Sequence, residues 1–214
     1  MSLFSHTVYI NLNERTDRLQ HVKEEMVKLG VHKPTRIVAT KHEVGAIGCV
    51  KSHIRAIEYA ISKGWEQVFV CEDDITFLDP ITLRENAKKF ALSMEQEWDV
   101  LIIGGNCCPP YTQVDPHWCQ IYNCQTTTGY IVRQHYYSEL LNNFREGLRH
   151  LLAERAETRK YALDMYWKRL QQRDKWFILV PLTVTQYENY SDIEKRQTNY
   201  NGLMLDMEKK WLYR

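Results

Sequence analysis

The chain lacks any run of apolar residues near the 18 or so needed to span a bilayer, and its start lacks the basic-then-apolar pattern of a secretion signal. Both absences point to a soluble, cytoplasmic protein. It also has almost no net charge. With 28 basic against 27 acidic side chains the formal charge is +1, so no overall field draws nucleic acid, although local patches leave room for peripheral membrane contact. Cysteine is present without metal-site or disulfide spacing: the six, at 49, 71, 107, 108, 119 and 124, form no C-x-x-C pair. Cys49 and Cys71 stand in apolar segments, where cysteine behaves as a small hydrophobe. No glycine-rich phosphate loop follows the first apolar run, and no internal repeat or low-complexity segment appears.

What remains is an ordinary globular composition, 214 residues and 44% apolar, which suits one domain over 1–214. Thr7-Val8-Tyr9-Ile10-Asn11-Leu12 reads as a strand, followed by Leu19, Val22, Met26 and Leu29 at helical spacing and a closing Gly30. Thr35 to Ala39 is a second strand. Ile47, Val50, Ile54, Ile57 and Ile61 recur at 3-4-3-4 spacing and predict a strongly amphipathic helix, stopped by Gly64. A third strand then ends at position 72, Pro80 opens a helix carrying Leu83, Ala87, Phe90 and Met94, and residues 98–103 form a fourth strand. The segment 107–125 reads as a loop over the sheet edge. A β-branched run follows at 126–132, then helices near 134–152 and 157–172, and a last strand at 177–180. Strands alternating with helices predict an α/β fold with a mostly parallel twisted sheet and helices on both faces. Ligands in such sheets bind beyond the carboxyl ends of the strands, so Asn11, Ala39-Thr40, Glu72-Asp73-Asp74 and Gly104-Gly105 should share one rim.

The triplet Glu72-Asp73-Asp74 carries most of the chemistry. Three adjacent carboxylates at the end of an apolar strand repel one another by kilocalories per mole, so a cation should offset them. Side-chain alternation places Glu72 and Asp74 on one side, an oxygen pair suited to Mn²⁺ or Mg²⁺, with Asp73 on the other. The same cluster also suits a solvated loop or a helix cap. Arg15 and Arg18 can pair with phosphate or serve as solvated residues of a first helical turn. Asp164 lies in the apolar, aromatic stretch 162–167, where an acid needs a task or a partner.

Five segments in order resemble glycosyltransferase family 25, which includes lipooligosaccharide and collagen galactosyltransferases. They are Tyr9-Ile10-Asn11-Leu12 with Arg15, Asp17 and Arg18; Gly45 to His53; Glu72-Asp73-Asp74; Trp98-Asp99-Val100-Leu101; and Leu163-Asp164-Met165-Tyr166 with 181–186 and Ser191-Asp192-Ile193. The resemblance implies a GT-A fold, with a nucleotide-binding half over about 1–105 and an acceptor-side half over about 106–214. It implies metal-dependent transfer of a hexose from a nucleotide diphosphate sugar such as UDP-galactose or UDP-glucose to a glycan, glycolipid or protein hydroxyl, as in lipopolysaccharide biosynthesis. On this reading Asp74 contacts the metal, with Glu72 as its partner or holding a metal-bound water or the nucleotide. Asp73 accepts from a ribose hydroxyl, and Asn11, Arg15, Lys51, His53 and Gln186 contact the donor. Asp164, or Asp192, is the general base of an inverting reaction; Asp192 equally suits a helix N-cap. A nucleotidyltransferase, or an inactive carbohydrate-binding module of the same fold, is the alternative.

Overall fold

A computed structural model describes residues 2–95, 97–191 and 196–213. The chain runs β1 (Thr7–Asn11), α1 (Thr16–Leu29), β2 (Thr35–Val38), α2 (Gly45–Ser62), β3 (Gln67–Glu72), β4 (Ile75–Phe77), α3 (Pro80–Met94) and β5 (Val100–Cys107). It continues through β6 (Tyr111–Asp115), β7 (Trp118–Ile121), β8 (Cys124–Arg133) and α4 (Tyr137–Ala153). Three four-residue helices follow, α5 (Thr158–Tyr161), α6 (Leu163–Tyr166) and α7 (Lys168–Gln171), then β9 (Trp176–Leu179), β10 (Val184–Gln186), β11 (Asn189–Ser191), β12 (Arg196–Thr198) and α8 (Asn201–Met204).

Eight strands form the central sheet, in the order β2-β1-β3-β8-β5-β9-β7-β6. The pairings leave β8 and β7 running against the other six, so the sheet is mostly parallel in direction. This is the α/β architecture that the alternation of strands and helices predicts. Period-2 alternation along β3 sends Val68 and Val70 to one face and Phe69 and Cys71 to the other, and each face carries its own apolar cluster. One is covered by α2 and α4, the second by α1 and α3. Strands buried on both faces must be apolar throughout, as all eight residues of β5 are buried.

The isoleucine stripe explains α2. Ile47, Val50, Ile54 and Ile57 are buried against the sheet and α4, each contributing roughly 1.5–3 kcal/mol by leaving water. Ile61, expected on that stripe, is 46% exposed: the last turns of α2 meet the core through Ala56, Ile57 and Ala60 instead. Gly48 lets the start of α2 approach the chain that leaves β2: a Cβ there would stand 2.4 Å from the Thr40 carbonyl oxygen. At the head of α3, Asp79 caps the Thr82 amide at 3.0 Å and Pro80 takes the first turn.

Two expectations are corrected. The stretch 107–125 is not a plain loop: β6 and β7 form a hairpin that extends the sheet through β9. Inward Trp118, Cys119 and Ile121 supply its burial, while β6 is the largely exposed edge strand. The stretch 157–172 is not one helix. Ala162 has φ −55 and ψ 148, which breaks the chain between α5 and α6, and Trp167, fully buried, links α6 to α7. Burying that indole within the α2–α4 cluster outweighs helical continuity.

Candidate active site

The carboxyl ends of β1, β2, β3 and β5 open on a cavity of about 650 Å³. Because β8 runs the other way, its first residues, Gln125 to Thr127, stand on the same rim and line the same space. Asn11, Thr40, the triplet Glu72-Asp73-Asp74, Asp164 and Gln186 all line it, so the walls come from both sides of position 105. Asn106, rather than Gly104-Gly105, represents β5 there. Gly104 instead admits β10, since a Cβ would meet the Val184 side chain at 2.7 Å.

The acidic triplet does not follow strand alternation. β3 ends at Glu72, the chain turns through 73 and 74, and β4 begins at Ile75. Asp73, not Glu72, therefore becomes Asp74's partner. Arg18 Nη1 donates to Asp73 Oδ1 at 3.2 Å and to Asp74 Oδ2 at 2.9 Å, and its Nη2 donates to the Tyr190 carbonyl at 3.0 Å. The three side chains are only 10–11% exposed. The cation that the triplet demands is thus supplied, in part, by the chain itself. Asn11 Nδ2 donates to Asp73 Oδ2 at 2.7 Å, and Asn11 Oδ1 accepts from Arg36 Nη2 at 2.7 Å. Every oxygen of Asp73 is engaged.

Asp74 is different. Burial, with the charges of Glu72 and Asp73, pushes its carboxyl up to about 7 despite Arg18. Its Oδ1 has a 3.4 Å contact with Gln186 Nε2, held in place because β10 pairs with β4. The corner therefore holds more negative charge than one guanidinium offsets, and its oxygen donors fit a hard divalent cation at Asp74 beside Gln186.

Glu72 belongs to a second corner. Its Oε1 accepts from Thr127 Oγ1 at 2.5 Å and His53 Nε2 at 3.2 Å, with Cys49 Sγ at 3.7 Å. His53 Nδ1 lies 3.0 Å from the Tyr130 hydroxyl. Burial raises the Glu72 carboxyl, but the hydrogen bond and charge of His53, together with Thr127, outweigh it and hold the group below its ordinary value. Cys49 Sγ is pushed well up by burial and by the charges of Glu72 and Asp164.

Asp164, at the head of α6, is likewise raised by burial, against the Thr126 amide that donates to its Oδ2 at 2.9 Å and with Glu72's charge. Thr126 presents that amide from φ +69, a left-handed conformation costly for a β-branched residue. Two expected donor contacts lie elsewhere. Arg15 binds Asp17 through Nε and Nη2, at 3.0 and 2.9 Å, and does not line the cavity. Lys51 is on α2 but also outside the lining, because it stands two residues from both Cys49 and His53, about 200° around the helix from each. Asp192 lies outside the described residues. The sequence reading passed over Cys49 as a packing residue. The i, i+4 spacing of Cys49 and His53 on one helix was the available signal.

No protein-family model matches the chain, and no curated protein does. Solved structures do. A UDP-glucose pyrophosphorylase complexed with UDP-glucose aligns at 8% identity and TM-score 0.50, over 82% of this chain and 90% of that one. A glycosyltransferase involved in glycosylation of the major capsid of PBCV-1 aligns at 9% identity and TM-score 0.42, covering 82% and 91%. A mannose-1-phosphate geranyltransferase from Thermus thermophilus aligns at 12% identity and TM-score 0.45 over 80% of this chain. The chain spans 58% of that protein's length. The likeness to the pyrophosphorylase is one of fold: a GT-A-like α/β sheet with flanking helices. Among the described residues no helix is long and apolar enough to cross a membrane.

Proposed function

We propose that this chain is a metal-dependent hexosyltransferase of the kind found in glycosyltransferase family 25. It moves a hexose from UDP-galactose or UDP-glucose to a hydroxyl of a glycan, glycolipid or protein, in the cytoplasm or at a membrane surface. One observation carries the reading: a single cavity has a charge-dense corner at the strand ends and a separate half-buried carboxylate, Asp164, in its wall. Transfer from a nucleotide diphosphate sugar needs both, a site for the diphosphate and a base for the acceptor hydroxyl.

Arg18 and Asn11 would fix the nucleotide end, Arg18 lending positive charge to the diphosphate and Asn11 holding Asp73 ready for a ribose hydroxyl. Asp74, with Gln186 beside it, would hold Mn²⁺ or Mg²⁺, which when bound supplies Lewis-acid stabilisation of the departing diphosphate. Asp164, made more basic by burial and by Glu72, would take the acceptor's proton as the hydroxyl attacks the sugar carbon opposite the leaving group. Thr126 orients that carboxylate through its amide. Inversion at the sugar carbon follows from one displacement with one base.

Nucleotidyl transfer uses a related fold, but the turn after β1, Leu12-Asn13-Glu14-Arg15, has no glycine to cradle phosphates. The deciding experiment incubates the chain with UDP-glucose, UDP-galactose, GDP-mannose and dTDP-sugars, with and without Mn²⁺. Metal-stimulated release of UDP with sugar from a UDP-hexose supports the proposal. Pyrophosphate-dependent formation of UTP replaces it with nucleotidyl transfer, and no turnover of any donor makes the chain a binding module.

A further inference from the structure

The second corner of the cavity has a ligand set that sugar transfer does not use. Cys49 and His53 stand four residues apart on one face of α2, and the end of β3 brings Glu72 against them. One thiol, one imidazole nitrogen and one carboxylate oxygen lie within 4.8 Å of one another. We propose that Cys49, His53 and Glu72 form a zinc site with its fourth position open to the cavity.

Three features of the geometry support this. A tetrahedral zinc with bonds of about 2.0–2.3 Å separates its donors by roughly 3.5 Å. Here Glu72 Oε1 is 3.2 Å from His53 Nε2 and 3.7 Å from Cys49 Sγ, so only small side-chain adjustments separate the hydrogen-bonded arrangement from a ligated one. The donor types also discriminate. A thiolate and an imidazole select zinc over Mg²⁺ or Mn²⁺, which the all-oxygen corner at Asp74 suits. Finally, the outer partners are in place. Tyr130 hydroxyl meets His53 Nδ1 at 3.0 Å and can accept from it once Nε2 binds the ion, and Thr127 Oγ1 holds the Glu72 carboxylate.

Three protein ligands and one open position are the arrangement of a site that binds water or a substrate oxygen, rather than a closed structural one. All three ligands line the cavity, so the open position faces whatever occupies it. Binding would expel the Cys49 thiol proton to solvent and leave the charge on the metal–thiolate bond.

The test reads metal, not turnover, and so stands apart from the transferase proposal. The full chain, purified with zinc added and then desalted, is assayed for metal content, and its Co²⁺ form is examined for a thiolate-to-cobalt charge-transfer band. The expected result is one zinc per chain, with the band present. Cys49→Ala, at the cavity wall, should lose both while keeping the wild-type circular dichroism. Tyr130→Phe should keep the band and weaken zinc about 10–100-fold. A chain that retains no zinc and shows no band overturns the proposal, leaving a buried imidazole–carboxylate pair. Zinc held equally by wild type and Cys49→Ala also overturns it, because the ion then sits elsewhere.

Discussion

Two corners of one cavity, a few residues apart along the chain, treat carboxylates in opposite ways. At the first, Asp74 is buried among like charges that a single guanidinium does not offset, and its proton is held up to about 7. At the second, Glu72 is only half-buried, and His53 and Thr127 hold it below its ordinary value. The difference lies in hydrogen-bond donors as well as depth: Glu72 Oε1 has an imidazole, a hydroxyl and a thiol around it, while the more deeply buried Asp74 has at Oδ1 one long contact from Gln186. A group left short of donors is poised for an added cation. A group already supplied keeps its charge without one, and takes up a metal only by exchanging those hydrogen bonds for ligand bonds.

The comparison is sharpened most by Asp164, which shares Glu72's side of the cavity and feels its charge. Asp164→Asn should lower the transfer rate about 10²–10⁴-fold and leave UDP affinity, measured by calorimetry, unchanged. Because burial raises this carboxyl, and the base acts only when ionised, the wild-type rate should fall on the acid side at a pH above the ordinary aspartate range. An equal loss of UDP binding would erase the division between a donor corner and a base.

Arg18→Ala should come next. Removing it leaves Asp73 and Asp74 buried without their shared cation, a loss of about 3–5 kcal/mol in chemical denaturation. Asp74→Asn at the same corner should behave differently: transfer falls about 10²–10³-fold, while the thermal midpoint holds or rises, because the fold already disfavours that charge. Glu72→Gln should do the reverse, destabilising by about 1–3 kcal/mol, because here the environment favours the ion. Were Asp74→Asn the more destabilising of the two, the contrast would be broken.

The fold was legible where burial and period agreed. The stripe Ile47, Val50, Ile54 and Ile57 marks one helix face, and Gly30 ends α1 at φ +78, as a closing glycine should. It was illegible where tertiary packing broke a local pattern, as at Trp167, whose burial between two short helices no helical period announces. The site divided similarly. Which strand ends meet at the rim follows from topology, and Asn11, Asp73 and Asp74 are found there. Which carboxylate faces which could not follow, because alternation holds only while the strand lasts, and β3 stops at Glu72. Cys49 escaped notice because its neighbours in sequence are apolar. Its neighbours in space are Glu72 and Thr127.

The reversed direction of β8 has a consequence for rigidity. A strand that opposes its neighbours enters the sheet at the edge where they leave it, so the cavity wall from Gln125 to Thr127 is an irregular step tied into the ladder at Gln125 and again at Gly129 instead of a wandering connection. A loop in that place would have to freeze around the substrate, losing on the order of 1–2 kcal/mol per ordered residue when it binds. Here that ordering is completed during folding, and the strained Thr126 amide is already aimed before any ligand arrives.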